Sequence, residues 1–135
     1  VIKKIFIDSH MVFITAGLGG GTGTGVAPVI GKICKDVGAQ VIAIVSTPYS
    51  FEGEKRNNQA AEGILALNKI VDTIVVQPND RISERVGKDE TIINMFKKAD
   101  ENIYHLIKNI IDKPETIFSP TQVFLKSSEE KTFNL

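Results

Sequence analysis

The sequence has a single cysteine, no tryptophan and no excess of charge of either sign. Cys34 cannot form a disulfide within the chain, which favours a reducing compartment. We interpret it as a small buried apolar residue rather than a reactive thiol. The 16 Lys and Arg residues balance the 16 Asp and Glu residues. This balance argues against a charge-driven role at nucleic acid or at a membrane surface.

Three further absences limit the classes of protein to consider. No apolar run is long enough to span a bilayer, so direct membrane insertion is not predicted. His10 and His105 lie far apart in sequence without ligand-like partners, so no metal site is predicted. No signal peptide is visible. The first residue is Val1 rather than methionine, and a central-looking strand follows within about ten residues. We therefore expect a fragment or a truncated gene product.

A glycine-rich loop follows an apolar segment near the start of the chain. Residues 11–16 are typical of a buried strand, and residues 19–25 are Gly-Gly-Gly-Thr-Gly-Thr-Gly. Residues 26–30 are typical of the first helical turn, where Pro28 is tolerated because early N–H groups lack helical partners. Such a loop can bind phosphate through backbone N–H groups. A flexible linker is the alternative, but linkers do not lie between a buried strand and a helix.

Two common phosphate-binding motifs are excluded by the order of residues in this loop. No register supplies the glycine spacing of the Rossmann fingerprint, and Gly25 is followed by Val26 rather than by the lysine of a P-loop. The loop must therefore act through backbone amides and through the hydroxyl groups of Thr22 and Thr24, with or without a metal ion.

The remaining pattern predicts alternating helices and strands. Strands are predicted at residues 41–45 and 73–77, and one helical turn within residues 79–89. The order β-α-β-α-β implies a parallel sheet with right-handed crossovers. Three helices are predicted, each with an apolar stripe: residues 26–37 with Val29, Ile30, Ile33 and Val37; residues 52–68 with Ala60, Ile64, Leu67 and Val71; residues 91–112 with Ile92, Phe96, Ala99, Ile103, Leu106, Ile107 and Ile110.

The arrangement of these elements has two consequences. The first two helices should share one face of the sheet, which leaves the helix at residues 91–112 to cover the other. The strand at residues 11–16 should be an exposed edge, which is an aggregation hazard. Residues 113–135 have no clear period, and we predict a tail, irregular or partly extended, with an extended piece at residues 122–125.

Polar loops follow each predicted strand. Since ligands of doubly wound sheets bind beyond the carboxyl ends of the strands, these loops can enclose one ligand. They lie at residues 19–25, 46–56 and 78–80.

Residues 13–28, which include the whole glycine loop, resemble the signature of the tubulin/FtsZ family of GTPases, and the residues flanking the loop are closer to FtsZ than to tubulin. The resemblance implies an α/β fold in which this chain holds the parallel three-stranded part of a doubly wound Rossmann-like sheet with flanking helices. Residues 1–112 would be a partial GTP-binding domain. The loop residues implied to bind the nucleotide are Gly19, Gly20, Gly21, Thr22, Gly23, Thr24 and Gly25.

The family's second loop motif resembles residues 48–56, with Tyr49 in place of a phenylalanine. The resemblance implies that Glu52 contacts the ribose and that Arg56 lies near the phosphates. The alternative is an exposed helical ion pair between these residues. Residues 78–81 resemble a third motif, in which Asn79 contacts the ribose and the purine. Its alternative is an Asn-Asp turn or a helix cap, and both roles are compatible.

The long helix contains Phe96-Lys97-Lys98-Ala99-Asp100, which resembles a fourth family segment. The resemblance implies that Phe96 stacks on the base and that Asp100, expected to be semi-buried, accepts hydrogen bonds from guanine. Adenine lacks that pair of donors, so the carboxylate specifies guanine. An ordinary core position is the alternative for Phe96, and a binder of adenine dinucleotides is the alternative class of protein.

The implied function is GTP-dependent assembly of a cytoplasmic cell-division filament, with hydrolysis of GTP to GDP and with Mg²⁺ accompanying the nucleotide. The implied partners are further copies of this chain or an intact homologue, and the implied location is the division site or an organelle stroma. The family's first phosphate loop and its acidic catalytic loop, Asn-x-Asp-x-x-Asp, are absent from the sequence, so no catalytic residue is assigned and hydrolysis by this chain alone is doubtful. The alternative function is a non-catalytic fragment that caps or modulates filaments of an intact homologue.

Overall fold

The computed structural model describes residues 10–113, 122–125 and 131–134 of the chain. These residues form one five-stranded sheet. Its strands, β1 to β5, are Met11–Gly17, Gln40–Thr47, Thr73–Pro78, Gln122–Leu125 and Lys131–Asn134, and they lie in the sheet in that order. Strands β1 to β4 are parallel to one another, and β5 is antiparallel to β4. The predicted parallel three-stranded sheet is confirmed as the first part of this sheet.

The last two strands lie in the region predicted to be a tail. β4 coincides with the extended piece predicted at residues 122–125. β5 was not predicted, because its sequence, Lys-Thr-Phe-Asn, has only one apolar residue. The division of the chain at residue 112 stays a prediction. The first nine residues of the chain, and residues 114–121, 126–130 and 135 of the tail, lie outside the described residues.

Strand β2 lies between β1 and β3 and is covered on both faces. Its residues from Val41 to Val45 are buried, as expected for an apolar run in a parallel sheet. The register places Ala43 beside Ile14 on one side and beside Ile74 on the other. Within the described residues β1 pairs with β2 alone, so the predicted edge strand is confirmed.

Helices cover the two faces of the sheet as predicted. The helical segments are α1 at Gly21–Asp36, a 3-10 turn at Ser50–Glu52, α2 at Glu54–Asn68, α3 at Asp80–Ser83 and α4 at Ile92–Asp112. α1 and α2 share one apolar core with the sheet, in which Cys34 and Leu67 are buried. On the opposite face, Leu106 of α4 packs against Ile42 and Ile44. No helix in the described ranges is long and apolar enough to cross a bilayer.

The start of α1 differs from the prediction. The helix begins at Gly21, five residues before the predicted start at Val26, so most of the glycine loop is helical. Pro28 therefore lies inside the helix rather than in its first turn. Its missing N–H removes the usual helical donor to the carbonyl of Thr24.

The buried face of α1 also differs from the predicted stripe. Val29 is exposed, whereas Ala27, Gly31 and Cys34 are buried. A Cβ on Gly31 would lie 3.5 Å from Cδ1 of Ile14 and 3.4 Å from Cγ2 of Ile70. Small residues thus allow α1 to pack close to its neighbours. The buried face of the helix is therefore determined by this close packing rather than by the hydrophobicity of the side chains.

The predicted stripe of α4 is correct only from Ala99 onward. Ala99 and Leu106 are buried, whereas Ile92 and Phe96 are exposed. The helix is capped by Thr91, whose hydroxyl accepts a hydrogen bond from the N–H of Asn94 at 3.2 Å. The first turn of α4 therefore projects away from the apolar core, and one face of the helix from Phe96 to Ile107 forms a wall of a cavity.

Candidate functional site

A cavity of about 610 Å³ opens where β1 and β2 end. This volume is typical of small-molecule sites. Its walls are formed by residues 15–18 and 46–48, at the carboxyl ends of the two strands, and by one face of α4. Six of the predicted site residues line it: Gly20, Glu52, Arg56, Asn79, Phe96 and Asp100.

The turn between β1 and α1 has a fixed shape that requires glycine. Gly19 has a φ of 101°, in the region that side-chain-bearing residues rarely adopt. A Cβ there would lie 2.5 Å from Cγ of Pro48 and 2.8 Å from the carbonyl oxygen of Arg56. The N–H of Gly19 donates to Oγ1 of Thr24 at 2.9 Å. Thr24 therefore holds the turn, and its hydroxyl oxygen is already engaged.

The start of α1 offers uncapped backbone donors at the cavity. Gly20 is the N-cap, no side chain caps this end, and the first turn contains no acidic residue. Nothing lies within 4 Å of where a Cβ of Gly20 or Gly21 would be. Free N–H groups and the positive end of the helix dipole make this an attractive position for a phosphate group.

The other loop residues have different positions. Gly23 packs against the end of β1, where a Cβ would lie 2.1 Å from the carbonyl oxygen of Gly17. Thr22 and Gly25 are exposed on α1 and do not line the cavity. The structure therefore brings Gly20 to the cavity wall and gives Gly19, Gly23 and Thr24 roles in shaping the turn.

Glu52 and Arg56 form the ion pair that was the alternative to nucleotide contacts. Nη1 of Arg56 lies 3.1 Å from Oε1 of Glu52, and the Arg56 side chain is 59% exposed. Oε2 of Glu52 accepts a hydrogen bond from the N–H of Tyr49 at 2.8 Å. Both residues line the cavity. Their contacts with ribose and phosphate stay a prediction.

Asn79 has a buried acceptor without a partner. The residue is 5% exposed and lines the cavity. Within the described residues its Oδ1 accepts no hydrogen bond, and its side chain does not cap α3. Asn79 does occupy the N-cap position of α3, where its backbone carbonyl accepts from the N–H of Ile82 at 2.8 Å, so the helix-cap alternative holds for its backbone and not for its side chain. Leaving the buried Oδ1 unsatisfied costs about 1–3 kcal/mol, which favours a bound ligand or water at this position.

Phe96 and Asp100 lie one turn apart on the cavity face of α4. Phe96 is 41% exposed, so the alternative of an ordinary core residue is not supported. The rings of Phe96 and Tyr49 pack edge to face, with their centroids 5.4 Å apart. The expectation that Asp100 is semi-buried was wrong, because Asp100 faces the open cavity and is exposed.

Ser46 and Thr47, which begin the loop predicted at residues 46–56, line the cavity at the end of β2, although neither was assigned a contact with the ligand. Sequence reasoning missed Tyr104, which lines the cavity one turn beyond Asp100. The four-residue spacing from Phe96 to Asp100 to Tyr104 would have identified the tyrosine. Asp80 was also missed: its carboxylate accepts hydrogen bonds from the N–H of Ser50, at 2.8 Å, and from its hydroxyl, which joins the second and third loops.

Comparison with known proteins places these features in context. The family model described as "Tubulin/FtsZ family, GTPase domain" matches residues 1–87. The structure is similar to an empty FtsZ dimer from M. jannaschii, with 44% sequence identity and a TM-score of 0.77, over 82% of this chain and 32% of that one. The chain thus spans about a third of the length of that structure.

Two further similar structures are from Haloferax volcanii. CetZ1, a GDP-bound monomer, is 29% identical with a TM-score of 0.63, over 71% of this chain and 28% of that chain. CetZ2, a protofilament bound to GTPγS, is 24% identical with a TM-score of 0.70, over 80% of this chain and 32% of that chain. The second likeness concerns the fold alone.

Proposed function

We propose, from the premise that this chain belongs to the tubulin/FtsZ family of GTPases, that its cavity binds GTP or GDP. The family supports a cytoskeletal GTPase-type role. The observation that carries the proposal is the side chain of Asn79, a residue that lines the same cavity as the uncapped start of α1 and whose buried Oδ1 has no partner within the described residues. A sugar hydroxyl or a ring N–H of a nucleotide would supply the missing donor.

The parts of a nucleotide match the chemistry of the walls. Phosphate groups fit the free N–H groups at Gly20 and Gly21, with the guanidinium of Arg56 beside the cavity. The ribose fits between Glu52 and Asn79, whose oxygens accept from its hydroxyls. The base fits the face of α4, where Phe96 offers an aromatic surface and Asp100 an acceptor for the two guanine N–H donors.

Magnesium would accompany the phosphates. The described ranges contain no group of three His, Cys, Asp or Glu side chains that could hold a metal ion without the nucleotide. The side chains of this cavity therefore do not fit a dedicated metal site, and the ion would be held by phosphate oxygens and water.

Hydrolysis and assembly are proposed for the whole family member rather than for these residues alone. The sequence lacks an Asn-x-Asp-x-x-Asp loop, so the carboxylates for hydrolysis would come from outside it. The FtsZ structure at 44% identity is a dimer, which supports self-association of the whole family member. Cell division, a cytoplasmic location and a GTP-binding domain over residues 1–112 complete the proposal.

Equilibrium binding of a fluorescent GTP analogue, with GTP and ATP as competitors, tests the nucleotide site. We expect displacement by GTP and not by ATP, and loss of that preference in Asp100→Asn, whose amide cannot accept from both guanine donors. Glu101→Gln is the matched control, because Glu101 is an exposed neighbour that does not line the cavity. Equal displacement by ATP and GTP would contradict guanine binding, and no binding at all would contradict a nucleotide site in this chain.

A further inference from the structure

Two buried polar side chains attach the same turn of α4 to the sheet. The hydroxyl of Tyr49, which follows β2, donates to the carbonyl of Met95 at 2.9 Å. The amide of Gln77, near the end of β3, donates through Nε2 to the carbonyl of Ala99 at 3.1 Å. The two acceptors are four residues apart, so the contacts bracket one helical turn. Phe96 lies within that turn, and Asp100 directly follows it.

Apolar packing does little to hold this part of the helix. Ile92 and Ile93 are exposed, Ile93 at 80%. The contacts of α4 with the apolar core involve residues from Ile103 to Ile110. Ala99 is buried, but its methyl group offers little area. The position of residues 95–100 of α4 over the cavity therefore depends largely on the contacts that Tyr49 and Gln77 make with the helix.

Tyr49 is placed to link the loop after β2 to this turn. Its ring is fully buried, stacks on Phe51 at 5.0 Å between centroids and meets Phe96 edge-on. Its backbone N–H holds the carboxylate of Glu52 at 2.8 Å. Burial raises the pKa of the Tyr49 hydroxyl, as do the nearby charges of Glu52, Asp80 and Asp100 to a smaller extent. The hydroxyl thus stays protonated and able to donate.

Gln77 is held by α4 at both ends of its amide. The residue is 2% exposed, and its Oε1 accepts from Nδ2 of Asn102 at 2.6 Å while its Nε2 donates to Ala99. Reversing the amide would lose both bonds, so the contact fixes the helix in one register against β3.

We infer that Tyr49 and Gln77 are positioning residues that set the part of α4 bearing Phe96 and Asp100 over the cavity, and so determine guanine selectivity. The selectivity rests on the proposed nucleotide site, whereas the positioning does not. Both residues act through α4. If Tyr49 and Gln77 had a purely structural role, the loss of their hydrogen bonds to α4 would not change the preference for guanine.

The test compares a nucleotide that offers the guanine amino group with one that lacks it. Displacement of a fluorescent GDP analogue by GDP and by inosine diphosphate gives a preference ratio for each variant. We expect a preference for GDP of about tenfold in the wild type, falling at least threefold in Tyr49→Phe and in Gln77→Met. Thr73→Val is the control, because it removes a buried hydroxyl at the opposite end of β3. An unchanged ratio in both variants would overturn the inference.

Hydrogen exchange of the protein without nucleotide provides a second measurement. We expect amides of residues 95–100 to exchange about fivefold to tenfold faster in Tyr49→Phe, with no such local change in Thr73→Val. If the wild type binds no nucleotide, the proposed function fails and this measurement alone decides the positioning role. Faster exchange confined to residues 95–100 would support it, and unchanged exchange would overturn it.

Discussion

The α-carbon of Gly23 lies so close to the carbonyl oxygen of Gly17 that a Cβ on Gly23 would be 2.1 Å from that oxygen. Gly17 ends β1, and Gly23 lies in the first turn of α1. The helix therefore starts directly against the end of the strand. This contact places the uncapped N–H groups of α1 beside the cavity, so the close approach of two backbones prepares the candidate phosphate site.

Gly23→Ala should destabilise the fold, because the opposing atom is a backbone carbonyl that cannot rotate away. We expect a loss of about 3 kcal/mol in the free energy of unfolding, measured by urea denaturation. Gly25→Ala is the control, since a Cβ at Gly25 meets nothing within 4 Å. It should stabilise the helix by about 0.5–1 kcal/mol. Equal effects of the two substitutions would contradict the packing argument.

Asn79→Ala should separate binding from stability. The substitution removes a buried oxygen that has no partner in the described residues, so the free energy of unfolding should change by no more than about 1 kcal/mol. Affinity for GDP should fall about tenfold or more, because the ligand would lose an acceptor. Isothermal titration calorimetry and urea denaturation measure the two quantities.

Asn68→Ala is the matched control for Asn79. Its Oδ1 is also buried without a partner in the described part of the chain, but Asn68 lies at the end of α2 and does not line the cavity. GDP affinity should therefore be unchanged. Equal losses of affinity in the two variants would assign the effect to general loosening rather than to a contact with the nucleotide.

The order of elements was predictable because hydrophobic periodicity is a local property. The buried run from Val41 to Val45 and the alternation of helix and strand identified the parallel sheet. The start of α1 was not predictable in this way, because glycine disfavours a helix interior and only the contact with Gly17 explains its presence at position 23. Tertiary packing there outweighs local preference.

The candidate site was predictable in part for a related reason. Each loop after a strand could be located, and the structure brings Glu52, Asn79 and Phe96 to one cavity. Exposure was harder to predict. Asp100 lies beside an apolar stripe, but it faces the open cavity, and its exposure depends on where the helix packs against the sheet. The attachments through Tyr49 and Gln77 are likewise tertiary contacts without a sequence pattern.

Arg56→Gln should weaken nucleotide binding while leaving stability almost unchanged. The exposed pair with Glu52 contributes little to folding, so the free energy of unfolding should change by less than about 0.5 kcal/mol. Affinity for GTP should fall about tenfold at low salt and less at high salt, since the interaction with phosphate is screened. Lys55→Gln, at an exposed neighbour outside the cavity wall, is the control. The same loss in both variants would indicate a general charge effect.

The thiol of Cys34 should report on unfolding, because it is fully buried between α1 and the sheet. Burial raises the pKa of this thiol, so the folded state holds its proton where the unfolded state has released it. This raised thiol pKa stabilises the folded state at pH values below the ordinary thiol pKa, and the stabilisation is lost as the pH rises through the thiol pKa of the folded state. We expect alkylation by iodoacetamide at pH 8 to be roughly a thousandfold slower in native protein than in urea. The free energy of unfolding should also fall above the ordinary thiol range, and Cys34→Ala should remove the thiol's share of that fall. Rapid alkylation of the native protein would show instead that α1 does not stay packed on the sheet.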